Sequence, residues 1–276
     1  MPAAASSPSI LVNGSATDQA PALDRGLALG DGLFETIAFR DGRPRHWREH
    51  AERLADGCRR LDLPQPDPEQ LRAEAERARG TDPDGTLRIT WTRGPGPRGY
   101  APPVQPRPTR IVAWFPGLPA APGRPLALRW CDTRLGENPA LAGLKHLNRL
   151  EQVLARAEWD DPAIDEGVMC SSSGEVIECT SSNLFLVRDG RLRTPALERC
   201  GVAGVVRRRV LALAAEAAIP AAVEPLSPDD VRAADELFVT SATRGIAAVG
   251  RLGERAWSAP GPCTRRLQQA LAEATP

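Results

Sequence analysis

Residues 138–159 read NPALAGLKHLNRLEQVLARAEW and contain the only lysine of the chain, Lys145. The chain has 35 Lys and Arg residues, and all of them except Lys145 are arginines. Arginine can replace lysine wherever a surface charge or a salt bridge is all that is needed. It cannot replace an amine nucleophile, because a guanidinium stays protonated and does not condense with an aldehyde. The count alone is equally consistent with one lysine retained by chance. The surroundings of Lys145 must therefore distinguish a functional amine from an incidental one.

Lys145 lies between a loop rich in Gly and Pro and a predicted helix. Apolar residues recur with helical spacing on one face of that helix, at Leu147, Leu150, Val153, Leu154 and Ala157. We expect this face to pack and to anchor the backbone while the amine points into a cleft. Burial near other cations yields a neutral amine that attacks carbonyl carbons. The alternative is an ordinary lysine at a helix start whose amine extends into water.

A second unusual side chain is Glu178, within GEVIECTSSNLFLV (174–187). It stands in a predicted strand between Ile177 and Cys179, where a carboxylate is costly unless it meets a positive partner or faces solvent. A protonated pyridine nitrogen would be such a partner. An outward-facing glutamate on a half-exposed strand remains equally open.

The segment ERCGVAGVVRRRV (198–210) predicts a turn followed by a helix. Gly201 and Gly204 allow close approach of the backbone, and a helix start directs unpaired N–H groups at an anion such as phosphate. Glycine-rich helix starts are common, so this feature alone is a weak signal. Arg53, on a predicted helix in the first half, could supply a bidentate phosphate contact.

The remaining pattern predicts strands and helices without strict β-α-β alternation, which favours two α+β domains over a doubly wound sheet. We expect a domain at 1–116, a Gly- and Pro-rich linker at 117–125 and a domain at 126–276. Predicted helices cover 47–61, 68–79, 202–218 and 264–274, besides the one after Lys145. Predicted strands cover 10–12, 33–39, 86–92, 111–115, 126–131, 166–169, 176–178, 183–187, 191–193 and 237–240.

Composition excludes several classes of protein. The 35 acidic residues balance the 35 basic ones, so nothing favours nucleic acid or an anionic membrane. No segment has the roughly 20 uncharged apolar residues of a membrane helix. The first ten residues, MPAAASSPSI, do not resemble a secretory signal. Six cysteines without a C-x-x-C pair or a histidine cluster predict buried thiols in a reducing cytoplasm, and no metal site.

Several segments, in order along the chain, resemble the fold-type IV pyridoxal phosphate enzymes. They are DRGLALGDGLFET (24–36), TRGPGPRGY (92–100), residues 135–154, ECTSSNLFL (178–186) and SATRGIAAV (241–249). The resemblance implies a small N-terminal α/β sandwich domain, a larger domain on a barrel-like sheet, a homodimer, and pyridoxal 5'-phosphate as cofactor. The similarity is strongest to the aminodeoxychorismate lyases, which implies a lyase forming 4-aminobenzoate and pyruvate. A D-amino-acid or branched-chain aminotransferase, or a non-catalytic binder of pyridoxal phosphate, is the alternative.

The same resemblance implies roles for individual residues. Lys145 matches the lysine that bonds the cofactor, and Thr36 matches a catalytic hydroxyl of the lyases; a purely structural threonine is the alternative. Arg98 resembles an arginine that binds substrate carboxylate, with Tyr100 nearby. The cofactor-binding set further comprises Glu178 at the pyridine nitrogen and, around the phosphate, Arg53, Val205, Val206, Ser241 and Ala242. Several relatives have Thr at the position of Val206, which leaves only its N–H contact, and Ala242 cannot give a hydroxyl hydrogen bond.

Overall fold

The computed structural model describes residues 9–119 and 123–274. Residues 120–122, in the middle of the expected linker, lie outside this part of the chain, as do residues 1–8 and 275–276. Contacts between Cα atoms divide the chain into two compact units. The first contains Met1–Pro119 and Lys145–Asn148, and the second contains Ala120–Leu144 and Arg149–Pro276. The short segment that begins at Lys145 therefore belongs to a different unit from the residues on either side of it.

The first unit is a six-stranded antiparallel sheet with three helices. The sheet has the strand order β2-β1-β6-β5-β3-β4. Its strands are β1 Ser9–Val12, β2 Ser15–Ala16, β3 Gly32–Arg40, β4 Arg43–Pro44, β5 Gly85–Thr92 and β6 Arg110–Pro116. Its helices are α1 Arg25–Leu29, α2 Trp47–Arg60 and α3 Pro68–Arg79.

Helix α3 shows how local signals fix an element of this unit. Asp67 accepts hydrogen bonds from the backbone N–H groups of Glu69 and Gln70, and Pro68 stands at the first helical position. Gly80 follows its last residue with a φ of 61°, a backbone conformation that favours glycine. These caps explain why the bounds expected from the sequence, 68–79, are also those observed.

The central strand β3 presents different side chains to its two faces, because strand side chains alternate. Glu35 meets α2, and a Cβ atom added to Gly57 of α2 would lie 2.7 Å from the Leu33 side chain. The odd-numbered residues of β3 thus face the helices. Phe34 and Thr36 face the other side of the sheet. This alternation decides which residues of β3 can share a site.

The second unit is a nine-stranded sheet with four helices. Its strands are β7 Leu126–Trp130, β8 Glu166–Cys170, β9 Val176–Cys179, β10 Asn183–Arg188, β11 Arg191–Pro195, β12 Ala221–Glu224, β13 Glu236–Ser241, β14 Gly245–Leu252 and β15 Arg255–Ala256. Its helices are α4 Leu150–Arg156, α5 Val205–Glu216, α6 Pro228–Arg232 and α7 Pro262–Glu273.

This second sheet curves back on itself. The hydrogen-bonded order runs β12-β11-β10-β13-β14-β7-β8-β9, with β15 beside β14, yet β9 at one end also lies against β10 and β11. One apolar cluster, including Leu128, Val176 and Leu184, packs within the curve. Another, including Phe185, Phe238 and Val210, packs between the sheet and helices α5 and α7. The expected α+β fold with a barrel-like sheet in the larger part of the chain is confirmed.

Two local expectations were wrong. Strand β14 is eight residues long but was missed in the sequence, because Gly245 and Gly250 interrupt its strand pattern. The apolar face of α4 was expected to pack, but Leu150, Val153 and Leu154 are 75%, 60% and 60% exposed. An apolar stripe with helical spacing identifies a buried face only when some element covers it. In the described residues, no helix is both long and apolar enough to cross a membrane.

Candidate active site

The backbone after Leu144 runs along the first strand residues of β3. The Phe34 N–H donates to the Lys145 carbonyl at 2.9 Å, and the Leu147 N–H donates to the Gly32 carbonyl at 3.0 Å. These two hydrogen bonds hold the backbone of Lys145 against the free edge of β3. Its side chain is therefore positioned by β3 and not by packing of the helix that follows.

The Lys145 amine lies over an aromatic ring. Its Nζ atom is 4.2 Å from the centroid of the Phe34 ring, and Phe34 is buried. Thr36 is two residues further along β3 and lies on the same face of the sheet. The structure thus brings together, within the first unit, the amine and the hydroxyl that the sequence singled out.

On the helix-covered face of β3, Arg53 is bound by a buried carboxylate. Arg53 Nε donates to Glu35 Oε1 at 2.8 Å, and Nη2 donates to Glu35 Oε2 at 2.5 Å. His50 Nδ1 lies 2.7 Å from the same Oε2 atom. A bidentate pair of this kind fixes the plane of a guanidinium as well as its position. Arg53 is thereby held in one orientation.

The charges of this triad follow from its environment. Burial alone would raise the pKa of the Glu35 carboxyl, but Arg53 and His50 outweigh it and lower the pKa to about 2. Burial lowers the pKa of His50, against the opposing effect of Glu35. His50 is therefore a neutral imidazole near neutral pH. Because a carboxylate only accepts hydrogen bonds, the proton is on Nδ1, and the buried Nε2 atom has no partner in the described residues.

Arg98 and Tyr100 lie on an exposed loop whose backbone is held by Arg25. Tyr100 is 87% exposed. The buried Arg25 donates to the carbonyls of Gly99, Tyr100 and Ala101 at 3.0–3.2 Å. Its Nε donates to Asp31 Oδ2 at 2.8 Å. The loop is therefore ordered by one buried guanidinium and not by its own Gly- and Pro-rich sequence.

In the second unit, the loop that leads to Lys145 is bonded to the turn at 199–203. The Gly143 N–H donates to the Gly201 carbonyl at 2.9 Å, and the Ala203 N–H donates to the Gly143 carbonyl at 3.0 Å. The Asn138 N–H donates to the Arg199 carbonyl at 2.7 Å. This turn is the segment in which the sequence predicted an anion site.

Glu178 is buried in β9, and its carboxylate is oriented by the same turn. The Val202 N–H donates to Glu178 Oε2 at 2.8 Å. Gly201 has a φ of 88°, and a Cβ atom there would lie 2.7 Å from the Ile177 side chain. Burial lowers the pKa of Arg149 and of Arg207, while the Glu178 charge raises both. The Glu178 carboxylate thus lies in the electrostatic field of two guanidinium groups, not in solvent.

The start of α5 has the features of an anion site. Gly204 caps the helix without any side-chain hydrogen bond, so the N–H groups of Val205 and Val206 have no intrahelical partner. A Cβ atom on Gly204 would lie 2.0 Å from the Asn183 Oδ1 atom, so a larger residue there would displace the Asn183 side chain. Thr240 is opposite Asn183 in the sheet, and its hydroxyl is buried without a partner among the described residues.

Ser241 and Ala242 follow Thr240. Ser241 is the last residue of β13, and its Oγ atom accepts a hydrogen bond from the Arg244 N–H at 3.3 Å. Ala242 carries no side-chain donor. Thr240, one residue before Ser241, carries a hydroxyl. It lies on the face of β13 that carries Phe238 and packs against α5.

Sequence reasoning missed Glu35, Arg25 and Thr240. Glu35 had a usable signal, because a carboxylate between Phe34 and Thr36 in an apolar strand is as costly as Glu178. Arg25 and Thr240 had none, because the carbonyls that Arg25 binds and the position of Thr240 opposite Asn183 involve residues distant in the chain. In the described residues, no group of three or more His, Cys, Asp or Glu side chains is placed to hold a metal ion.

The fold and the position of the single lysine define a fold-type IV enzyme. The crystal structure of 4-amino-4-deoxychorismate lyase from Pseudomonas aeruginosa is similar, with a TM-score of 0.90 and 46% sequence identity, covering 96% of this chain and 98% of that one. The chain belongs to the amino-transferase class IV family, which matches residues 32–252. The resemblance inferred from the sequence is thereby confirmed.

Two further relatives represent the two activities considered, lyase and aminotransferase. The aminodeoxychorismate lyase of Vibrio harveyi is 37% identical over 264 residues, which are 93% of this chain and 97% of that protein. A putative branched-chain-amino-acid aminotransferase of Methanocaldococcus jannaschii is 32% identical over 255 residues, 89% of this chain and 88% of that protein. The higher identities are to the lyases.

Proposed function

We propose that this enzyme is a pyridoxal phosphate-dependent lyase that converts 4-amino-4-deoxychorismate to 4-aminobenzoate and pyruvate, a step toward folate. The observation that carries the proposal is the placement of the Lys145 amine over Phe34, on the face of β3 that also bears Thr36. The similarity to two lyases over more than nine-tenths of the chain supports the same substrate.

The residues present fit the proposed cofactor. The uncapped start of α5, with the N–H groups of Val205 and Val206, suits a phosphate. The Thr240 hydroxyl beside it, which has no partner among the residues that the structure describes, would compensate for the hydroxyls that Val206 and Ala242 lack. Arg53 and Ser241 complete the proposed phosphate set, and Glu178 would face the pyridine nitrogen as a buried carboxylate.

Pyridoxal phosphate, when bound, supplies an aldehyde for an amine and a ring that accepts the electron pair of a broken C–H bond. Lys145 removes the proton from C4 of the substrate as general base. The C–O bond to the enolpyruvyl group then breaks, and the leaving enolpyruvate takes a proton from Lys145 or through Thr36 and becomes pyruvate. The six-membered ring becomes aromatic, so no external oxidant is needed. Arg98, with Tyr100 nearby, would bind a substrate carboxylate.

We also propose that two copies of the chain form a homodimer. The exposed side chains Leu150, Val153 and Leu154 form an apolar stripe on α4 with the i, i+3, i+4 spacing of an interface. A Val153→Asp variant should sediment as a monomer at concentrations where the parent protein is a dimer. A parent protein that sediments as a monomer would contradict the proposal.

We propose a cytoplasmic location because the cysteines are free thiols. All six are free thiols, five of them buried. Burial raises the pKa of Cys58 and of Cys131 to about 12, which keeps these thiols protonated and unreactive. Such thiols persist in a reducing compartment.

The second candidate is an aminotransferase of the same fold, which the identity to the Methanocaldococcus jannaschii protein favours. The two functions differ in their need for a second substrate. Purified enzyme is given 4-amino-4-deoxychorismate without any 2-oxo acid, and 4-aminobenzoate and pyruvate are measured over time. We expect many equivalents of both products per enzyme. An aminotransferase would keep the amino group of its substrate on the enzyme, so it would form no 4-aminobenzoate in this assay and would turn over only with an amino acid and a 2-oxo acid together; that result would identify an aminotransferase instead.

A further inference from the structure

Glu166 is a buried carboxylate that joins two turns of the second unit. It is the first residue of β8, and its side chain is 2% exposed. Its Oε1 atom accepts hydrogen bonds from the Ser181 N–H at 2.6 Å and from the Ser181 hydroxyl at 2.8 Å. Its Oε2 atom accepts from the Ser182 hydroxyl at 2.8 Å and from Arg244 Nη1 at 3.0 Å. Four donors from two separate turns therefore meet at one carboxylate.

Each of these turns adjoins a part of the proposed cofactor site. Residues 180–182 connect β9, which contains Glu178, to β10. Residues 242–244 connect β13 to β14 and directly follow Ser241, so the turn 241–244 carries two residues of the proposed phosphate set. Within that turn, the Arg244 N–H donates to Ser241 Oγ at 3.3 Å, which is long for such a bond. The shorter contact of Arg244 is the one that ties the turn to β8.

The surroundings of the Glu166–Arg244 ion pair favour a fixed geometry. Hydrogen bonds from the two serines hold both carboxylate oxygens in place, in a buried environment where such bonds are strong. The Arg244 side chain is 30% exposed, so it loses less hydration than Glu166 does when the pair forms. A charge-assisted hydrogen bond to an immobile carboxylate orients the arginine, and with it the backbone of the turn.

A preformed turn matters for the groups that this segment can offer to a phosphate. Ser241 carries its hydroxyl close to the backbone, and Ala242 can offer only its N–H. Neither can follow a ligand by rotating a long side chain. The backbone must therefore already be in place when the anion binds, or the binding free energy is spent on ordering it.

We infer that Glu166 and Arg244 are a positioning pair that sets the turn 241–244 for the phosphate group of the cofactor. Neither residue is assigned a contact with the phosphate itself. The inference rests on the proposed function for pyridoxal phosphate as the ligand, but not for the lyase reaction. It predicts an effect that depends on the phosphate alone, because the aldehyde and the pyridine nitrogen are assigned to other residues.

The test compares pyridoxal phosphate with pyridoxal, which lacks the phosphate group. Dissociation constants of both are measured on the full chain freed of cofactor, for the wild type, Glu166→Gln, Arg244→Gln, Arg244→Lys and the double Gln variant. Glutamine keeps the size of Glu166 but directs an NH₂ group at donors. Because Arg244 is partly exposed, Arg244→Gln tests the pair even if Glu166→Gln fails to fold. Thermal melting verifies the fold of every variant.

The matched control is Glu236→Gln. Glu236 is also buried and accepts three hydrogen bonds, from the Cys263 N–H at 2.9 Å and from the Thr264 N–H and hydroxyl at 2.8 and 2.7 Å. It is the first residue of β13, about 17 Å along the strand from Ser241. Its replacement should lower the melting temperature and leave the affinity for both ligands unchanged.

We expect Glu166→Gln and Arg244→Gln each to weaken binding of pyridoxal phosphate by about tenfold and binding of pyridoxal by less than about twofold. Arg244→Lys should recover part of the loss. The double variant should bind no more weakly than the weaker single variant, because the two residues act as one unit.

An equal loss for both ligands in folded Arg244→Gln would show a merely structural role and overturn the inference. Unchanged affinity for pyridoxal phosphate in that variant would overturn it too, as would the same phosphate-specific loss in Glu236→Gln.

The proposed function can fail separately. If the wild type binds pyridoxal phosphate but forms no 4-aminobenzoate, the lyase proposal is wrong, and a phosphate-specific loss in the variants still supports the positioning pair. If the wild type turns over and both variants bind pyridoxal phosphate like the wild type, the lyase proposal stands and the inference is wrong. A wild type that binds neither ligand would refute the cofactor proposal and the inference together.

Discussion

Glu35 and Arg53 form a bidentate ion pair between strand β3 and helix α2, with N–O distances of 2.8 and 2.5 Å. The carboxylate is almost completely buried and also contacts His50. The arginine proposed to bind phosphate is thus oriented before any ligand arrives. Pre-organisation of this kind reduces the entropy lost on binding.

Replacement of Glu35 by Gln should therefore lower both stability and cofactor affinity. Removing one partner of a buried ion pair leaves an uncompensated charge and costs about 3 kcal/mol. Urea unfolding of the cofactor-free protein measures this loss. Asp56→Asn is the control, because it breaks the exposed pair with Arg59 on the same helix and should cost less than about 0.5 kcal/mol. Equal stability losses in the two variants would contradict the role given to Glu35.

The same carboxylate should make stability depend on pH. The pKa of Glu35 is lowered from 4.5 to about 2, so the stabilisation is complete above pH 4.5 and is lost as the pH falls toward 2. The unfolding free energy of the wild type should fall more steeply over this range than that of Glu35→Gln, by about 3 kcal/mol in total. Parallel curves for the two proteins would show that Glu35 titrates normally.

Thr36→Val keeps the shape of the side chain and removes the hydroxyl. If Thr36 takes part in proton donation to the leaving group, kcat should fall by about a hundredfold while cofactor affinity stays the same. Steady-state kinetics and a cofactor titration measure the two effects separately. Wild-type kcat in the variant would dismiss the catalytic role and leave Thr36 as a β-branched strand residue.

Arg25→Gln should release the loop that carries Arg98. The variant loses charge-assisted hydrogen bonds to three consecutive carbonyls, so chymotrypsin should cleave at Tyr100 at least about tenfold faster. The KM for aminodeoxychorismate should rise with it.

Arg93→Gln is the matched control for that variant. Arg93 binds the same Asp31 oxygen but holds the carbonyls of Leu61 and Asp62. Its loss should destabilise the protein without faster cleavage at Tyr100. If both variants are cleaved equally fast, the loop is not held by Arg25 in particular.

The parts of the fold that follow from local chemistry were predictable from the sequence. Helix α3 is bounded by Asp67 and Gly80, and strand β5, Gly85–Thr92, contains the alternating residues 86–92. Strand β14 was missed because its two glycines carry no strand signal. The exposed stripe of α4 could not be distinguished from a core face, because burial depends on what covers a helix and not on its own sequence.

The residues of the candidate site divide in the same way, into those with a signal in the local sequence and those without one. Lys145 and Glu178 were visible because a lone amine and a carboxylate in an apolar strand are unusual by themselves. The contacts of Arg53 with Glu35, of Arg25 with the carbonyls of residues 99–101, and of Lys145 with Phe34 join residues that are distant in sequence. They depend on strand register and helix packing, which no local pattern specifies.

The central claim is that Lys145 is the amine around which this site is built. We expect Lys145→Arg to melt like the wild type and to have no measurable turnover, because the charge is retained while the nucleophile is lost. The most direct measurement is borohydride reduction of the wild type loaded with pyridoxal phosphate, followed by digestion and mass spectrometry. The account predicts a phosphopyridoxyl group on the peptide containing Lys145. An unmodified Lys145 peptide from a protein that has bound the cofactor would contradict it.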